Sequence, residues 1–332
     1  MVKVIVDAMG GDNAPQAIVN GCVDALKRKE DFSIILVGNE LKIKKILKER
    51  NCTDKRISIC AADDVVTNHD EPSKVVKHKK NSSMVVAFEL LKNGYGDAVL
   101  SCGSTGALLT CSVMLLKRIK GINRPALGTL IPTKTGNALL LDAGLNAECK
   151  PINFLQFGIM GSCYVKHLLN IRHPKVGLVN IGVEPEKGTD LIREAYEELK
   201  KADLTFIGNI EGTDIIGGVA DVIVCDGFTG NVVLKVLEGT ASFFIGELKN
   251  IFLKSISTKL SALFVKDGIK KLKSKVDVDV LGGAPILGID GLVMKSHGNS
   301  NAKTIENSVI KACDMAKSNF VADLKRELEK RR

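Results

Sequence analysis

Tryptophan is missing from this chain of 332 residues, and aromatic residues together make up only 4% of it. Proteins that hold single-stranded nucleic acid stack the bases on aromatic rings, and few such platforms exist here. Neither a helix-turn-helix nor an RNA-binding signature is present. No apolar run reaches the roughly 18 residues that a bilayer span requires. The run Val2–Val6 is interrupted by Asp7, so the amino terminus reads as a strand rather than a secretory leader, and a cytoplasmic protein is expected. The nine cysteines are odd in number and contain no C-x-x-C pair. They are expected to be reduced and mostly buried thiols rather than a disulfide framework. The five histidines have no H-x-x-x-H or H-E-x-x-H spacing, so no metal is expected. Neither G-x-G-x-x-G nor G-x-x-x-x-G-K-[ST] occurs, which removes the usual support for a dinucleotide or P-loop site.

What is present is an alternation of short apolar runs with helical patterns. Strands are expected at Val2–Val6, Ser33–Val37, Ala98–Ser101, Leu127–Ile131, Ala138–Leu141, Val176–Asn180, Leu204–Ile207 and Val222–Cys225. Their continuous apolar character fits strands covered on both faces. Helices are expected at Pro15–Lys29, Ser82–Lys92, Gly106–Lys120, Phe154–Leu169, Lys187–Lys201 and Asn231–Leu248, with a last one from about Ala302 towards the carboxyl end. The alternation predicts an α/β fold, a doubly wound and mostly parallel sheet in three layers, with residues 1–332 forming a single catalytic domain. Residues from about 243 to 275 look like a helical projection. Within it Leu248, Phe252, Ile256, Leu260 and Leu263 recur every three or four residues, bordered by lysines. An apolar helix stripe with a basic rim suits the surface of an anionic membrane, although a dimer interface or core packing would use the same stripe.

Glycine-rich signatures follow most of the apolar runs. In open parallel sheets ligands bind beyond the carboxyl ends of the strands. In Ser101–Ala107, Gly103 and Gly106 bracket Ser104 and Thr105 at a strand-to-helix junction, where backbone N–H groups and hydroxyls can cradle an anion, phosphate above all. A tight turn with a helix cap would look the same. Asp7, Gly10 and Gly11 belong to the first such loop, Asn180 and Lys187 to another, and Asn209, Glu211, Asp226 and Asn231 to two more. Lys187 is the one cation inside these motifs, and it is placed at an expected helix start, where a lysine is electrostatically poor unless an anion binds beside it. His297, in a polar loop after Leu292-Val293-Met294, is a candidate for acid–base work or phosphate contact. Cys102 has no histidine near it in sequence and is read as structural. With 47 lysines and arginines against 38 carboxylates, the net charge of +9 favours an acidic partner, and Lys79 and Lys80 are candidates for the basic surface.

The motifs, taken in order, resemble the bacterial phosphate acyltransferases of phospholipid synthesis, the PlsX family. They run nearly the whole length: Asp7–Asp12 with Ala14-Pro15, Lys79-Lys80 with Ser82-Ser83-Met84, Ser101–Ala107, Arg124–Leu127, Leu141–Asn146, Gln156-Phe157, Lys187-Gly188, Gly208–Asp214, Asp226–Asn231, Gly282–Gly288 and His297-Gly298. Departures are Asn13 where the family has His, Cys102-Gly-Ser104 where it has Ala-Gly-Asn, Leu145 for Ala and Asn81 for Asp. The resemblance implies transfer of a fatty acyl group from acyl carrier protein to inorganic phosphate, with no cofactor, in a homodimer whose fold is related to phosphate acetyltransferases and isopropylmalate-type dehydrogenases. Phosphate would itself be the nucleophile, so no catalytic triad is needed. A long-chain acyl phosphate is amphiphilic, which points to a membrane-bound acyltransferase downstream. Two other classes stay open: a nicotinamide-dependent dehydrogenase on a related sheet, and a non-enzymatic membrane scaffold.

Overall fold

The computed structural model describes residues 1–276 and 282–330. Its strands are β1 (Val2–Asp7), β2 (Phe32–Gly38), β3 (Ile57–Ala61), β4 (Ala98–Ser101), β5 (Ala126–Leu127), β6 (Thr129–Thr133), β7 (Gly136–Leu141), β8 (Lys175–Val179), β9 (Thr205–Ile210), β10 (Val222–Val224), β11 (Ala284–Leu287) and β12 (Leu292–Lys295). They form two sheets. The first has the order β3-β2-β1-β4-β12-β11-β5 and is parallel from β3 through β12. The second has the order β6-β7-β10-β8-β9 and is parallel except for the β6–β7 hairpin. The mostly parallel α/β class therefore holds, with the strands shared between two sheets.

The chain passes from one sheet to the other at Gly128, in the middle of a run that the sequence presents as one strand. The Gly128 N–H still donates to Pro285 O (3.0 Å), while Thr129 already pairs with Leu140 of the second sheet. A Cβ at Gly128 would meet Leu139, Leu141 and Leu287, from both sheets, at 3.2–3.4 Å. A bare Cα at this corner lets both sheets close on it. One buried cluster joins Val4, Val6 and Leu100 of the first sheet with Leu139, Val176 and Val222 of the second, through Phe154, Phe157 and Met160 of the helix Pro151–Leu168.

Helix boundaries follow local capping. The helix Gln16–Arg28 lies so close to Ala302–Lys317 that a Cβ at Gly21 would come within 2.5 Å of Ala302 O and Ile305. The final helix is broken at Asn319 (φ 53°), giving Ala302–Lys317 and Phe320–Lys330. Asparagine tolerates that left-handed conformation better than most residues. The helix expected from Lys187 starts three residues later, at Asp190, because Thr189 accepts the Ile192 N–H and takes the capping position.

The projection is a hairpin of two helices, Gly227–Leu253 and Ile256–Val276, which pack on each other. This corrects the single stripe. Ser255 exchanges bonds with Thr258, its N–H to Thr258 Oγ1 (2.9 Å) and Thr258 N–H to its own Oγ (3.2 Å), so a new helix begins there. Phe252 ends up on the first helix and Leu260 on the second; the side chains of Ile256 and Leu263 lie outside those described. Exposed apolar side chains are spread along both helices instead, from Val236 to Leu272, with Leu260 58% and Phe264 91% exposed. Among the described residues, no helix is long and apolar enough to cross a membrane.

Candidate active site

Because β1, β4 and β12 are parallel neighbours, their carboxyl ends and following loops share one edge of the first sheet. There they enclose a cavity of about 640 Å³ together with Ala143 and Gly144 after β7, and Asn231, Leu234 and Lys235 on the long helix Gly227–Leu253. The segment 65–69 after β3 closes another side.

The floor is built from a buried carboxylate. Asp7 is 1% exposed and accepts from Ser101 Oγ (2.7 Å) and Met9 N–H (3.2 Å); Ser101 Oγ in turn accepts from Gly103 N–H (3.0 Å). Burial raises the Asp7 carboxyl above the usual carboxylate value, and bonds from Ser83, Ser101, Met9 and Gly10 oppose it. A Cβ at Gly10 would come within 2.5 Å of Asp7 Oδ2 and 2.8 Å of Gly103 N. Asp7 and Gly10 thus lock the first two loops together from behind the wall. Gly11 (φ +100°), Gly103, Ser104 and Thr105 form the wall itself. Gly106 is turned away and packs against Pro72. Ser104 precedes the short helix Thr105–Cys111 without making a side-chain cap bond, so its hydroxyl is not consumed by the helix.

The loop that adjoins this wall carries His297. Its loop is pinned by the Asp12 N–H to Gly298 O (2.7 Å) and by Asn13 Nδ2 to Asn299 O (2.9 Å) and Ser300 O (3.2 Å). His297 Nε2 lies 3.5 Å from Glu238 Oε1 on the long helix. Glu238 also receives Lys235 Nζ at 2.6 Å. The hydrogen bond from His297, more than any other contact, holds the Glu238 carboxyl below its usual value.

Sequence reasoning missed Lys295. It ends β12, lines the cavity, and donates to the carbonyls of Ser296 and, at 3.5 Å, Cys102. Among the described residues no carboxylate lies within ion-pair distance of it. Burial pushes its ammonium below the ordinary lysine value, against the pull of Cys102, Asp12 and Asp7. The signal was available, since a lysine closing an apolar run just before Ser-His-Gly is a strand-end cation.

Cys102 is buried, and its thiol is pushed up to about 12, chiefly by burial. At neutral pH it is a poor nucleophile. Lys79 is also not a free surface charge. It pairs with Asp70 (3.1 Å) and Asp64 (3.5 Å) and donates to Val65 O (2.7 Å), fixing the segment that closes the cavity.

Of the remaining predicted residues, only Asn231 reaches the cavity. Asp226 caps the long helix through Thr229 N–H (2.8 Å), and Asn231, one turn on, reaches the cavity. Asn180, Lys187, Asn209 and Glu211 cluster at the ends of β8 and β9, outside the cavity walls. Asn180 Nδ2 donates to Lys187 O (3.0 Å), Asn209 Nδ2 donates to Glu184 O (2.8 Å), and Glu211 caps the helix Gly212–Gly217. The Lys187 side chain is exposed.

A family model described as fatty acid synthesis protein matches residues 2–323. The chain is 52% identical over 324 residues to a phosphate acyltransferase of Acetivibrio thermocellus, covering 98% of this chain and 96% of that one. It is 49% identical over 308 residues to a phosphate acyltransferase of Alkaliphilus oremlandii, covering 93% and 92%. Among solved structures its fold is similar to a phosphotransacetylase from Streptococcus pyogenes, with TM-score 0.63, 16% identity and coverage of 95% and 94%. A second is the EutD phosphotransacetylase from Staphylococcus aureus, with TM-score 0.61, 13% identity and coverage of 96% and 94%. A match of this extent, on a chain whose strand-end loops converge on a cationic cavity, means that the chain belongs to the fatty acid synthesis protein family and is a phosphate acyltransferase.

Proposed function

We propose that the cavity holds inorganic phosphate against the thioester carbonyl of a long-chain acyl carrier protein, and that phosphate attacks that carbonyl directly. A phosphate oxygen forms the new C–O bond, the C–S bond breaks, and the thiolate takes a proton to leave as the carrier's thiol. The observation that carries this reading is Lys295, a cation held in the cavity without a carboxylate partner among the described residues, facing the Ser104-Thr105 loop. An ammonium short of counter-charge neutralises phosphate or the developing oxyanion, and fixed hydroxyls and N–H groups orient it. His297 is assigned contact with the phosphate or the leaving sulfur. Such a reaction needs positioning and charge stabilisation but no protein nucleophile. The dehydrogenase alternative loses its ground with the family membership.

The test is acyl-phosphate formation by purified protein from acyl carrier protein thioester and phosphate, trapped with hydroxylamine. Without phosphate, no acyl-enzyme is expected, and Cys102→Ser is expected to retain turnover. A stoichiometric acyl-enzyme that disappears in Cys102→Ser would overturn direct attack.

The same reading extends to partners: an acidic carrier protein drawn to a chain of charge +9, a second copy of the chain, and an anionic bilayer met by exposed apolar side chains of the helical hairpin such as Leu260 and Phe264. A membrane-bound acyltransferase would use the product. Leu260→Glu is expected to abolish binding to anionic vesicles while leaving carrier-protein turnover unchanged. Vesicle binding retained by the variant would remove the hairpin from the membrane reading.

A further inference from the structure

The long helix that walls the cavity continues beyond it, and the apolar face that Leu234 begins does not stop at the cavity's end. Leu234, Leu237, Ala241, Phe244 and Leu248 follow one another at three or four residues, the spacing of a single helix face. Leu234 is 4% exposed and lines the cavity, whereas the other four line a separate hollow of about 410 Å³. Strand β6 spans the same two spaces. Thr129 lies at the cavity and Thr133 at the hollow, with buried Ile131 between them on the same face of the strand. Across the hollow stand Ile216 and, from the second helix of the hairpin, Leu272. The lining is apolar apart from two threonines and Lys134. Phe244, Ile216 and Leu272 remain 59%, 44% and 45% exposed. At about 1.5 Å per residue, the face from Leu234 to Leu248 extends roughly 21 Å.

An occupant must be long, apolar and without hydrogen-bonding demands, and one end must reach the reacting carbonyl in the cavity. We propose that this hollow is the acyl-chain subsite, in which the alkyl tail of the substrate runs from the cavity along Leu237, Ala241, Phe244 and Leu248. The proposal rests on the reading of the cavity as the site of acyl transfer to phosphate. Each methylene that leaves water in such a groove is worth about fourfold in binding. The far end of the stripe, at Leu248 and Leu272, therefore sets the chain length that gains most.

Ala241→Trp fills the middle of the groove. The readout is the ratio of kcat/KM for a long-chain to that for a short-chain acyl carrier protein, compared between variant and parent. The ratio is expected to fall on the order of tenfold to a hundredfold, the equivalent of two or three methylenes returned to water. Phe244→Asp, at an exposed position, is expected to lower the ratio in the same direction and serves if the tryptophan variant does not fold. An unchanged ratio in a folded variant would overturn the subsite and leave the cavity reading standing. A variant that turns monomeric while keeping the ratio would show that a second copy covers this face, which also overturns it. A parent protein that makes no acyl phosphate from either chain length would remove both readings together.

Discussion

The strand-end loops of the two sheets look alike in sequence and are used differently. After β1, β4 and β12, an apolar run leads into glycine and small polar residues; at the ends of β8 and β9 the same pattern recurs with Asn180, Gly188, Asn209 and Glu211. In the first sheet those strands are neighbours, so their loops meet around one cavity. In the second sheet β8 and β9 lie one and two strands beyond β10, or about 5 and 10 Å. Their polar side chains are spent on loop backbone. A Cβ at Gly188 would strike Asn180 Oδ1 at 2.4 Å, whereas one at Gly11 would strike the Cys102 Cβ and Gly298 O at 2.9 Å, both on loops that wall the cavity. A glycine motif reports that something approaches the backbone closely; only the sheet order tells whether that is a ligand-bearing wall or the loop's own anchor.

The strongest challenge to this contrast is Lys295→Ala. Loss of the cavity's half-buried cation is expected to lower kcat/KM on the order of 10²- to 10³-fold, as for removal of one oxyanion-stabilising group, with an unchanged unfolding midpoint. Near-normal kcat/KM in the folded variant would take Lys295 out of the reaction. Lys187→Ala sharpens the comparison from the other side. An exposed lysine outside the walls is expected to change kcat/KM by no more than about threefold, in keeping with the small energies of solvated charges. If Lys187→Ala instead matched Lys295→Ala, the β8 loop would have to close over the cavity during turnover, and the two regions would be one site.

Much of the cavity was legible because parallel strands announce themselves as short apolar runs and their loops as glycine clusters. Gly11, Gly103, Ser104, Thr105, Asn231 and His297 were all named from pattern alone, and all line it. Three things were hidden. The change of sheet at Gly128 leaves no trace in a run that has Ala126 and Leu127 before it and Leu130 and Ile131 after it. The helix break at Ser255 depends on a reciprocal Ser–Thr bond pair that competes with an otherwise continuous helical period. Lys295 showed in sequence only as a lysine closing an apolar run; that it stands in the cavity away from any carboxylate partner among the described residues is something sequence spacing does not encode.

The smallest expected effect links the cavity to the helix that walls it. Glu238 lies one turn beyond Leu234 and joins Lys235 to His297. Its carboxyl is held below its usual value, first by the hydrogen bond from His297 and then by Lys235, against the cost of burial. A carboxylate whose value is lower in the folded than in the unfolded state contributes stability that is complete above the unfolded value. That contribution is lost as pH falls through the folded one. Here the unfolded value is the ordinary 4.5. With 29% of the Glu238 side chain exposed, solvent limits the gain to a few tenths to about 1 kcal/mol. Glu238→Gln, which keeps shape and removes charge, is therefore expected to lower the urea midpoint slightly at pH 7, with the gap to the parent closing below pH 4.5. Urea titrations of both proteins across that window measure it. A gap that widens on acidification would mean that the pair is not held as a charged contact. The long helix would then meet His297 by packing alone, leaving the loop that carries His297 held by the Asp12 N–H and the Asn13 side chain.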